Sequence, residues 1–186
     1  MGYDPIGLMV SVEAPYPAAM RPVVALALLF ALSGCSEPQS LWDHQAWTQL
    51  GAASDPWPNR PEDADCSPLG WFPEPYDGRD SVTIETNACP WASLQQPSLA
   101  DVEVGDSIDL EFWHFNLTAA EPAEAEFGVL LDGQLLYSWV SPIPAPAGLV
   151  ETTISSPVAA PAGAPLVLHL HNHGDNSYNF VDLIRQ

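Results

Sequence analysis

Proline and glycine punctuate this chain so often that no long helix fits between them. Twenty prolines and twelve glycines cluster in stretches such as "IPAPAG" and "PVAAPAGAP", and proline inside a helix removes a hydrogen bond and clashes with the preceding turn. Between these breaks lie short runs rich in Val, Leu, Ile and aromatic residues, recurring at the 8–12-residue spacing of a sheet protein. Seven tryptophans supply bulk that has to be buried, which sets the chain apart from disordered proline-rich sequences.

The expected strands cover 81–85, 107–117, 126–131, 134–140, 149–155, 165–172 and 178–184. Asp132-Gly133, between "FGVLL" and "QLLYSW", is a two-residue turn that supplies the positive φ angles of a type I′ hairpin. The segment "LTAAEPAEAE" reads as a loop or a short helical turn. In "SIDLEFWHFNL" strand alternation puts Ile108, Leu110, Phe112 and His114 on one face, and Trp113, Phe115 and Leu117 on the other. That pattern suits a central strand. Eight or so antiparallel strands in this order predict an all-β, two-sheet antiparallel β-sandwich of jelly-roll type.

The N-terminal region reads as an address. Residues 23–32 form an apolar run behind Arg21, too short for a membrane-spanning helix of about 20 residues, with the small-residue exit of a secretory signal. The following Leu32-Ser33-Gly34-Cys35 resembles the bacterial lipobox, which implies lipidation of Cys35 and a signal peptide over 1–34. Residues 1–19 hold no basic residue and read as an over-long start. Ser36 is not the aspartate that the enteric rule associates with inner-membrane retention, so the expected location is the outer membrane, on its periplasmic side or at the cell surface. Residues 35–56 read as a lipidated N-terminus and tether and 57–186 as the β-sandwich domain; within the polar lead 36–65, Trp42, Trp47 and Trp57 suggest that part of it docks on the domain.

Charge narrows the partners. The chain carries 24 acidic residues against four basic ones, for a net charge of −20, and every basic residue is arginine. Such a field repels nucleic acid and offers few cations for phosphate, and without lysine there is neither a Walker lysine nor Schiff-base chemistry. With Cys35 lipidated, Cys66 and Cys89 form an even pair in an oxidising compartment, where a disulfide is expected. No nucleophile elbow, H-E-x-x-H or phosphate-binding glycine loop is present. The expected function is a non-catalytic binding or envelope-associated module.

The candidate site is "LHLHNHGDNSYNF", residues 168–180. If Leu168 and Leu170 face the core, His169, His171 and His173 project from the opposite face. His169 and His173 would stand roughly 13 Å apart, so at most two neighbours can share one metal with bonds near 2 Å. With His114 from another strand as third ligand, the set would suit zinc or copper, and an open position would support hydrolysis. In the plainer reading the histidines and Asn176 satisfy backbone groups around the turn at Gly174. A third reading makes this a carbohydrate face, with Trp113, Trp139 and Tyr178 stacking on a sugar and Asn176 and the histidines as candidate ligand contacts.

The set "GWFPEP…TNACPW…FWHFNLTAAEPAEA…IPAPAG…LHLHNHGDNSY", with the lipobox before it, resembles a group of lipoproteins of high-GC Gram-negative bacteria, which implies location and shared architecture. The run from "VGDS" through "LDG" and "PAG" to "NSYNFVDL" is similar to galactose-binding-like jelly-roll modules of carbohydrate-active proteins. That similarity would match Asp182 to an aspartate holding structural calcium. The chain lacks a counterpart of the usual N-terminal calcium ligands, which argues against calcium.

Overall fold

The computed structural model describes residues 37–186; residues 1–34, expected as a signal peptide, and Cys35 lie outside them. Eleven strands run in chain order: β1 (Gln39–Ser40), β2 (Thr48–Gln49), β3 (Trp71–Tyr76), β4 (Arg79–Glu85), β5 (Trp91–Pro97), β6 (Ser107–His114), β7 (Ala123–Leu131), β8 (Gln134–Ile143), β9 (Gly148–Ser155), β10 (Pro165–His171) and β11 (Ser177–Arg185). Among the described residues the only helical turn is Ala52–Ser54, and no helix is long and apolar enough to cross a membrane.

Two antiparallel sheets result. Sheet A has the order β3-β4-β11-β6-β9, with β1 on the far part of β11, and sheet B the order β2-β5-β10-β7-β8. From β5 onward the chain passes between the sheets at every connection except the β7–β8 hairpin, which is jelly-roll topology. That hairpin turns at Asp132 and Gly133, with φ of 50° and 73°, as its sequence predicts.

Alternation builds the core. Val82, Ile84, Ile108, Leu110, Phe112 and Phe180 from sheet A meet Leu94, Phe127, Val129, Leu166, Leu168 and Leu170 from sheet B, all fully buried or nearly so. Phe127 links the layers, its ring centroid 4.8 Å from those of both Phe112 and Phe180. The disulfide between Cys66 and Cys89 ties the segment before β3 to the β4–β5 connection.

Several boundaries differ from those the sequence suggests. β3 and β5 were not anticipated: β3 carries Pro73 and Pro75 yet forms the edge of sheet A, where a missing N–H breaks no ladder. β5, "WASLQQP", buries Ala92 and Leu94 inward behind residues too small and polar to advertise a strand. β6 ends at His114 instead of 117, and β7 starts at Ala123 inside the segment read as a loop. The tether is also shorter than 35–56. Gln39 already pairs with Arg185, and Leu41, Trp42 and Trp47 are buried in the main core, because their apolar area is worth more inside than in water.

Candidate functional site

The four candidate histidines divide among three environments. His114 is on the inner face of sheet A, 5% exposed, between Trp139 and Tyr178, with Nδ1 2.9 Å from the Phe115 carbonyl. His169 and His171 project from the outer face of sheet B, on the far side of that sheet. Among the described residues no three His, Cys, Asp or Glu side chains converge as a metal centre requires, and His114 is not brought together with the other three.

His169 does not face solvent as its alternation with the leucines suggests; it is fully buried. Residues 50–64 fold back over β10, and Trp57 lays its indole on the imidazole, centroids 4.4 Å apart and 16° between planes. The indole fits because position 128 is glycine: a Cβ there would lie 1.9 Å from the Trp57 ring. Ser93 Oγ donates to Asp55 Oδ1 at 2.9 Å and lies 3.0 Å from His169 Nδ1. Having one proton, the hydroxyl must accept from Nδ1–H, which leaves the Nε2 lone pair buried and unpartnered. Burial pushes the His169 pKa down to about 3, partly opposed by Asp55.

Asp55 organises this layer. Its carboxylate accepts from the Trp57 backbone N–H, Trp91 Nε1 and Ser93, and pairs with Arg60 at 2.9 Å. Burial alone would raise its pKa, but these bonds outweigh burial and hold it below the ordinary value.

His171 is half-buried against Trp91, and the exposed His173 ring lies 4.7 Å from it. Burial lowers the His171 pKa, reinforced by His173 and countered by Glu126. The pair separates two shallow grooves, one of about 280 Å³ with Asp63 and Trp91, the other of about 380 Å³ with Glu124, Glu126 and Val140. Asn176 is a structural hub: its side chain accepts from Thr118 N at 2.6 Å and donates to the carbonyls of Thr118 and His173.

A second face was only half legible. On the outside of sheet A, Phe72, Thr83, Asn179, Trp113 and Leu149 are successive cross-strand partners in one row across five strands. Phe72 and Leu149 are exposed; Trp113 is half-buried, stacked on Tyr76 at 6.1 Å with exposed Phe115 against its edge. Thr83 and Asn179 in the middle of the row are buried and hydrogen-bonded to each other at 3.1 Å, so its accessible apolar surface is Phe72 at one edge and Trp113 with Leu149 at the other. Beside Trp113 and Leu149 a groove of about 400 Å³ is lined by Asp109, Glu111, Glu151, Thr152, Thr153 and Asp182 among others. Arg79 donates to Glu111 and Asp182, and the Glu111 hydrogen bond leads in raising the Arg79 pKa. Asp182, matched by resemblance to a calcium ligand, thus binds a guanidinium. The alternation Asp109, Glu111, Trp113 in β6 carried the signal for this face; which strands flank it did not show in the sequence. Trp139 is half-buried and Tyr178 fully buried, so Tyr178 offers no stacking surface.

No protein-family model matches the chain, and no curated protein matches its sequence. Among solved structures it is similar to the mannan-recognising carbohydrate-binding module TmCBM27, with TM-score 0.48 and 10% identity over 81% of this chain and 94% of that one. It is also similar to TmCBM61, solved with β-1,4-galactotriose, with TM-score 0.44 and 8% identity over 80% and 98%. An arabinose-bound GH51 α-L-arabinofuranosidase gives TM-score 0.44 and 11% identity over 78% of this chain, which spans 26% of that enzyme. At these values the fold assignment rests on the strand order of this chain itself.

Proposed function

We propose that this protein is a lipid-anchored, non-catalytic binding module of the bacterial envelope, and that its ligand is a neutral carbohydrate taken by the outer face of sheet A. The observation that carries the reading is the neighbouring pair Trp113 and Leu149 on β6 and β9, with exposed Phe115 against the indole edge, beside a carboxylate and hydroxyl groove. Carbohydrates present apolar C–H faces and a rim of hydroxyls, so a site for them needs a ridge to stack on and acceptors beside it.

Size and charge narrow the ligand. The exposed apolar side chains at the two ends of the row, Phe72 and Leu149, stand four strand spacings of about 4.8 Å apart, roughly 19 Å, which suits an oligosaccharide better than a single sugar. Arg79 is the one cation at this groove and is engaged by Glu111 and Asp182, so uronic or sulfated sugars meet net repulsion. Binding of neutral polysaccharides on an array, lost in a folded Trp113→Ala variant, tests the reading.

The anchor belongs to the same proposal. Cys35 carries the lipid and Ser36 directs the protein to the outer membrane; a Cys35→Ser variant that still sediments with membranes would refute this. A second reading makes His171 and His173 a two-imidazole clamp for zinc or copper, favoured by their 4.7 Å ring separation. Elemental mass spectrometry of the protein from Ser36 onward, purified without a histidine tag, tests that reading.

A further inference from the structure

One end of the sandwich is closed by residues 98–106, between β5 and β6, and 156–164, between β9 and β10, together with the hairpin turns at Asp77-Gly78 and Asp132-Gly133. These connections belong to the same end because Pro97 pairs with Pro165 and Ser107 with Ser155. The N-terminal segment leaves the fold here. Gln39 pairs with Arg185, Arg185 donates to the Asp101 carbonyl and to Gln39 Oε1, and Leu99 N donates to the Leu41 carbonyl. Three residues, Ser36 to Pro38, separate Gln39 from Cys35, so at full extension the lipid-bearing residue lies no more than about 14 Å from the sheet.

This end exposes apolar side chains that no core residue covers: Leu99 is 52% and Val104 68% exposed, and Ala159, Pro161 and Ala162 are exposed beside them. The opposite end, with connections 86–90, 115–122, 144–147 and 172–176, holds Asn176 and His173 and stands roughly 25 Å away along the strands.

We infer that the 98–106 and 156–164 end is a bilayer-docking surface, on which Leu99 and Val104 enter the lipid headgroup region while the His173 end points away from the membrane. The inference rests on the proposed lipidation of Cys35. A tether of three residues holds this end against the surface, and two exposed aliphatic side chains beside the anchor supply the apolar contact that such docking needs. The surface suits zwitterionic lipid. Arg185 is engaged by Asp101, Gln39 and Asp106, and Asp101, Glu103 and Asp106 repel anionic headgroups.

The test uses the full lipidated, processed chain in phosphatidylcholine vesicles containing a headgroup-nitroxide lipid. A thiol-linked fluorophore is placed at Val104→Cys in one protein and at His173→Cys in another; with Cys66 and Cys89 bridged and Cys35 lipidated, each label is unique. Flotation with the vesicles reports the anchor separately. The inference expects flotation of both proteins, with at least threefold stronger quenching at 104 than at 173. Flotation with equal quenching, or with stronger quenching at 173, overturns the docking surface and leaves the anchor standing. Failure to float overturns the anchor reading and the inference with it.

Discussion

Trp57 covers His169 face to face, at 4.4 Å between ring centroids and 16° between planes, and this contact turns an apparently ligand-facing histidine into a buried one. The indole also donates to Glu126 Oε1 at 3.3 Å and joins Trp91, Leu130 and Val167 in a small second core outside sheet B. Residues 50–64 are thereby made part of the fold.

Acid should weaken the fold through His169. Its folded pKa is pushed down to about 3 from an unfolded value near 6.5. Between these values the unfolded chain binds a proton that the native state refuses. The contribution is whole above about pH 6.5 and shrinks as pH falls, by about 1.4 kcal/mol per pH unit. His171, also lowered, acts in the same direction, whereas Asp55, held below its ordinary 3.8, matters only under about pH 4. Urea denaturation from pH 7 to 4 should show this slope, reduced in His169→Asn; an unchanged slope in that variant would refute the assignment.

Trp57→Ala should cost about 3 kcal/mol, the scale of removing a large buried aromatic, and should return the His169 pKa toward its ordinary value by NMR titration. Gly128→Ala should displace the same indole, because the new Cβ occupies the ring position. The double variant should therefore fall well short of additive. Additive losses would mean that the two residues do not share one contact.

The disulfide closes a loop with a sequence separation of 23. The chain-entropy relation assigns it about 3 kcal/mol. Replacing both cysteines by serine should lower the denaturation free energy by that amount, measured in urea under non-reducing conditions.

Asn176→Ala should cost about 2–3 kcal/mol, because it strips partners from Thr118 N and from the carbonyls of Thr118 and His173. Asn176→Asp keeps the acceptor but not the donor and should fall between. Hydrogen exchange at Thr118 should accelerate in Asn176→Ala and stay slow in Asn176→Asp.

Local chemistry was legible in the sequence; long-range coverage was not. Asp132-Gly133 announced its hairpin because the turn's positive φ angles are set locally by those two residue types, and Cys66 with Cys89 followed from an even count. The equivalent hairpin at Asp77-Gly78, with φ of 50° and 76°, is masked in the sequence by Pro73 and Pro75, which are unfavourable inside a strand. Alternation put His169 and His171 on one face correctly, but nothing in "LHLHNH" tells that Trp57, over a hundred residues earlier, lies on top. Asp109, Glu111 and Trp113 alternate visibly, while their union with Asp182 and Glu151 needed the strand order β11-β6-β9.

The most direct test of the carbohydrate reading is a polysaccharide-array comparison of the protein from Ser36 onward with Trp113→Ala and a His171→Ala/His173→Ala double variant, each verified as folded by near-UV circular dichroism. The account predicts that the wild type binds a neutral polysaccharide, that Trp113→Ala loses at least tenfold in affinity, and that the histidine variant binds as the wild type does. Binding that survives Trp113→Ala and disappears with the two histidines would contradict it and move the site to the outer face of sheet B.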